Sequence, residues 1–175
     1  MRIFLIVCTL VLMSCGRNQQ MDDRANSRHD AQDIEKEIVD FHVALKQLYN
    51  GASLNVDSLY QYYFDSRGLY VTYWGTTEPI DSTKSRIKRA LPFMKDYTNR
   101  LESISIRTFG TGASVFFVLR QSYELNGHIL DEYLPTTFVM QKTEDHWQVI
   151  QSHRSADFQT IQQLMELARL REKGK

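Results

Sequence analysis

The sequence predicts a single α+β domain in which helices come first and a long antiparallel sheet follows. Three observations carry that expectation. Between residues 34 and 48, Ile34, Ile38, Phe41, Leu45 and Leu48 recur at alternating spacings of four and three, the period of one helix face. From about residue 101 to 155 the chain is almost all β-branched, aromatic or alternating, broken only by short turns, the pattern of a meander. A length of 175 residues gives room for one core and is short of two.

Composition removes some functions at the outset. Lys plus Arg number 21 and Asp plus Glu 21, so no global field draws in nucleic acid, and no nucleic-acid partner is expected. Apolar residues at 42 % and charged residues at 24 % are those of a globular chain.

In order along the chain, Met1 and Arg2 precede an apolar run over residues 3–13, followed by Ser14, Cys15 and Gly16. The run has the shape of a secretory leader and is too short to span a bilayer, which needs about 20 residues. The stretch LMSCG resembles a bacterial lipobox, which implies a leader over 1–14 and lipidation of Cys15. Cys8 lies inside that leader and no cysteine follows Cys15, so the mature chain would hold no internal disulfide. Residues 15–30 are almost wholly polar and read as a tether. The expected location is a bacterial cell envelope, with the membrane as partner through Cys15.

Asp30 or Asp33 is expected to open the first helix, which Gly51 stops. A shorter helix follows from Asn55 or Asp57, then a strand over residues 69–74. A third helix is expected from Asp81 or Ser82, with Ile87, Ala90, Leu91, Met94 and Tyr97 on one side. Pro92 should kink or split it, since proline removes a backbone donor and clashes with the preceding turn. Strands follow over 101–109, 113–125, 129–143 and 147–155, with Asn126-Gly127 as a hairpin turn. The run SVFFVL is apolar at both parities and is expected to be covered on both faces. A last helix over about 157–171 either packs back on the domain or offers a partner surface.

This succession, ending in HWQVIQSHRS at residues 146–155, resembles the nuclear transport factor 2-like superfamily over residues 31–157. More narrowly it is similar to the SnoaL-like branch and to the association domain of calcium/calmodulin-dependent protein kinase II, whose closing strand also carries Trp-Gln and then His-Arg-Ser. The resemblance implies a cone-like curved antiparallel sheet wrapped around N-terminal helices, with a pocket at its open end, and leaves residues 158–175 as an added helix. It implies arginines in that pocket at Arg154 and Arg120, with Phe138 at a third matching position. Tyr73, Tyr97 and Tyr123 are candidate pocket residues beside them.

Chemistry is harder to find. His153 could act as a general base if Asp131 or Glu132 oriented it, but strand alternation sets it opposite Arg154 and so outside the pocket. No nucleophile motif, metal-ligand spacing or cofactor signature is present; no metal and no cofactor are expected. The basic run KSRIKRALPFMK reads as a solvated helix face. The expectation is a lipid-anchored, non-catalytic domain that binds a small ligand, anionic if the arginines anchor it, or assembles as a homodimer. An isomerase, dehydratase or cyclase is the alternative, and a dimeric accessory protein that docks a partner is the third.

Overall fold

A computed structural model describes residues 3–173, with side chains described over 26–169; Cys15 and the leader read over 1–14 fall outside the described side chains. Helix α1 spans Ile3–Tyr49, so it begins well before the Asp30 or Asp33 start read from the sequence. Residues 17–33 contain neither Gly nor Pro, and nothing in them forbids a helix. The stretch read as tether is bound to the sheet at its end. Ser27 shares a 2.6 Å hydrogen bond with Thr108, and the Lys142 Nζ donates to Asp30 Oδ1 at 2.6 Å.

The apolar stripe of α1 is buried as its spacing predicts. Ile34, Ile38, Phe41, Leu45 and Leu48 are all in the core, each contributing roughly 1.5–3 kcal/mol by leaving water. Gly51, at φ +89°, ends the helix in a conformation that side chains other than glycine's rarely adopt. Helix α2, Val56–Tyr63, is capped by Asn55, whose Oδ1 accepts from the Asp57 and Ser58 amides at 2.8 and 3.1 Å.

The sheet has six strands in the order β2-β1-β6-β5-β4-β3. They are β1 Phe64–Val71, β2 Thr77–Glu78, β3 Met94–Phe109, β4 Gly112–Leu125, β5 His128–Lys142 and β6 Trp147–Arg154. It is mixed: β1 runs parallel to β6, whereas every other pair is antiparallel. The first strand therefore lies earlier than residues 69–74, and a wholly antiparallel sheet gives way to one parallel seam. The Asn126-Gly127 turn joins β4 to β5 with both residues at positive φ, 54° and 80°, the geometry of a two-residue hairpin turn.

Helix α3, Ile80–Ala90, stops before Pro92, which sits in a short 3-10 turn at Leu91–Phe93. Met94 and Tyr97 thus belong to β3 and not to the helix. β3 carries two bulges, with Asp96 and Ser103 at φ 52° and 55°, and bulges of this kind bend a long strand. The bent sheet curves around α1. The last helix, α4 at Phe158–Lys173, packs back on β5: the Tyr133 amide donates to Thr160 Oγ1 and the Asp131 amide to Gln163 Oε1, both at 3.0 Å.

One coverage expectation fails. On β4 the inward Val115, Phe117 and Leu119 are buried, but outward Phe116 is 42 % exposed, so only part of that strand's outer face is covered within one chain.

Candidate functional site

Between α1, α3, α4 and the concave face of the sheet lies a cavity of about 760 Å³. Its floor is apolar and aromatic, formed by Phe41, Leu45, Phe64, Leu134 and Phe138. α3 contributes Arg86 and Arg89 to the wall, and α4 contributes Leu164, Leu167 and Ala168.

Arg154 lines this cavity, and a bulge puts it there. Pairing between β5 and β6 sets Met140 opposite Val149 and Val139 opposite Gln151, leaving Ile150 as the extra residue. Alternation restarts after it. Trp147 and Val149 therefore enter the core before the bulge, and Ser152 and Arg154 face the same side after it. The neighbouring strand yields at the same point: an added Cβ on Gly68 would lie 2.8 Å from the Ile150 carbonyl oxygen, so only glycine fits beside the bulge. His153 points outward and is exposed; it does not line the cavity, and no contact with Asp131 or Glu132 forms.

Arg120 is on the other face. Its Nε donates to Glu102 Oε2 at 3.0 Å, and its guanidinium lies 4.6 Å from the centre of the Tyr133 ring. Inward positions on β4 are Leu119, Gln121 and Tyr123, so the pocket position that the resemblance implies at Arg120 is one residue out. A one-residue offset in a strand moves a side chain to the opposite face. Phe138 is buried in the floor at 2 % exposure, and Tyr73, Tyr97 and Tyr123 all reach the wall.

The structure adds a polar cluster that spacing did not reveal. Tyr123 donates its hydroxyl to Glu132 Oε1 at 2.9 Å, the Gln121 amide donates to Glu132 Oε2, and the Tyr97 hydroxyl donates to Gln121 Oε1 at 2.8 Å. Burial pushes the Tyr97 hydroxyl up to about 12. Burial, then the field of Glu132 and the bond to it, pushes Tyr123 further up. Both phenols are thus neutral donors at ordinary pH. The sequence hints at this cluster through the candidate pocket residues Tyr97 and Tyr123 and through Glu132, which strand parity places inward with Leu130 and Leu134.

The basic run along α3 is largely neutralised. Arg86 pairs with Glu78 at 2.7 Å, Lys88 with Asp57 at 2.7 Å and Lys84 with Asp81 at 2.5 Å. Arg154 has no carboxylate within ion-pair distance among the described residues. Nor, among those residues, does any cluster of His, Cys, Asp and Glu form that could hold a metal ion. No described helix is long and apolar enough to cross a membrane.

No family model and no curated protein matches the chain. Solved structures do. A candidate dehydratase of the NTF2-like family from Streptomyces avermitilis superposes with a TM-score of 0.62 at 12 % identity, covering 75 % of this chain and 99 % of its own. The calcium/calmodulin-dependent protein kinase II hub homology domain of Chlamydomonas reinhardtii gives 0.58 at 19 % identity, covering 73 % and 98 %. An NTF2-like protein from Cytophaga hutchinsonii gives 0.56 at 16 %, covering 70 % and 98 %. The order of helices and strands, the curved sheet around α1 and these superpositions agree that the chain has the nuclear transport factor 2-like fold.

Proposed function

We propose that this protein is a lipid-anchored binding domain that holds a small, mainly apolar molecule in its cone by an anionic group set on Arg154. The carrying observation is Arg154 itself: a half-buried guanidinium on the wall of an aromatic cavity, with no carboxylate partner among the described residues. A guanidinium presents five donors in a planar fork suited to a carboxylate, and the low-dielectric wall strengthens that attraction. Support for the anchor is the LMSCG stretch ending at Cys15. Exposed Phe116 on the outer sheet face supports self-association, which light scattering on the eluting protein would measure.

Calorimetric titration with a panel of aliphatic and aromatic carboxylates tests the binding reading. At least one should bind, and Arg154→Gln should weaken it about 10- to 100-fold, the worth of a charge-assisted hydrogen bond. No binding across the panel, or equal binding by the variant, would overturn it.

A second reading is favoured by the Glu132–Tyr123 pair. A buried carboxylate beside a phenol in an enclosed cavity is equipped for proton transfer at a substrate carbon, and one structural neighbour is named as a candidate dehydratase. Incubating the ligands in heavy water and following C–H exchange by NMR tests it. Exchange that disappears in Glu132→Gln supports an enzyme; no exchange in any ligand refutes it.

A further inference from the structure

Besides Glu78, Arg86 and Arg89, which also line it, the cavity has two charged poles, and the second is negative. Glu132 is only 6 % exposed yet lines the cavity. Its two oxygens accept from the neutral Tyr123 hydroxyl and Gln121 amide, and no Lys, Arg or His lies within ion-pair distance of it among the described residues. A carboxylate offers about four acceptor positions, so this one has capacity left on the cavity side. Burying an ion without a counter-charge is costly, and the protein supplies none.

The poles share one wall. Arg154 stands opposite Thr136 on β5, and Glu132 lies four residues back along the same strand, on the same inward face as buried Leu134 and Phe138. At about 3.3 Å per residue the backbone positions are roughly 13 Å apart. Tyr97 and Tyr73, which also line the cavity, feel both charges.

Resting on the Arg154 reading and going beyond it, we propose that the cavity selects a zwitterionic amphiphile. Its carboxylate meets Arg154, its ammonium meets Glu132, and an apolar spacer lies along Leu134. Each end then compensates a charge that the protein leaves without a partner. A plain carboxylate compensates only one and leaves Glu132 desolvated beneath it. An amine without the carboxylate has the converse defect.

Calorimetry of the full chain with octanoate, 6-aminohexanoate and 8-aminooctanoate tests this. The two amino carboxylates differ only in the separation of their charged ends. At least one should bind ten times more tightly than octanoate, a preference that Glu132→Gln should abolish while octanoate binding persists. Octanoate binding as well as both amino carboxylates, or the preference surviving in Glu132→Gln, overturns the proposal and leaves Arg154 as the anchor. If Glu132→Gln does not fold, the comparison on the unaltered protein still decides. Failure of the underlying reading looks different: none of the three ligands binds, or all bind Arg154→Gln unchanged.

Discussion

Acidification should destabilise this protein through His42 before it protonates most carboxylates. His42 lies on α1 at 2 % exposure, in edge contact with Phe41 and Phe117. Its Nδ1 donates to the Ile38 carbonyl at 2.7 Å, which leaves Nε2 as a buried lone pair without a partner. Burial lowers its pKa from 6.5 to about 4, the bond to Ile38 opposing and the Arg154 charge adding to the effect. A depressed histidine favours the neutral form in the fold. Its contribution is therefore complete above the unfolded value of 6.5 and is lost as pH falls from there toward 4. Between about pH 7.5 and pH 5 the unfolded chain takes up a proton that the folded one refuses, a loss of about 2 kcal/mol. Urea midpoints at the two pH values measure this, with His42→Leu as comparison, since leucine removes the titration and keeps an apolar side chain in place. The reasoning is refuted if the midpoint of the unaltered protein does not fall, or if His42→Leu falls by the same amount.

Gly68→Ala should cost about 1–3 kcal/mol in chemical denaturation, because its new Cβ meets both the buried Tyr70 hydroxyl and, at 2.8 Å, the Ile150 carbonyl, so that the Tyr70 ring or the bulge that aims Arg154 must shift. Weakened carboxylate binding should accompany that loss. Arg120→Ala should leave calorimetric binding in the cavity unchanged, because its guanidinium lies on the outer face against Glu102 and Tyr133; weakened binding would contradict that placement. Cys15→Ala should abolish incorporation of a labelled fatty acid and release the protein from the membrane fraction, whereas labelling that persists would remove the lipid anchor from the proposal.

Much of the architecture was legible because local patterns encode it. The stripe from Ile34 to Leu48 needs no partner to announce a helix face, and Asn126-Gly127 closes its hairpin by its own backbone preference. Asn55 at the start of α2 and Pro92 at the end of α3 behave as their chemistry requires. The site was less legible because it depends on which face of each strand turns inward. The resemblance implies Arg120 as a pocket residue, yet Gln121 is the inward neighbour. The parallel seam between β1 and β6 joins segments far apart in the chain, and no local pattern announces such a pair.

The strand at residues 147–154 divides the two kinds of information most clearly. Taken alone, it sets Trp147 and Arg154 on opposite faces, since side chains in a strand alternate. The residue types determined that a strand would form there and that Trp147 would be buried. Only the pairing with β5 and β1, tight enough at Gly68 to exclude a side chain, decided that Ile150 would be skipped and Arg154 turned into the cavity. A bulge is a property of two registers meeting and not of one sequence. For the same reason Glu132 acquired Tyr123, Gln121 and an enclosing cavity only when the chain had folded.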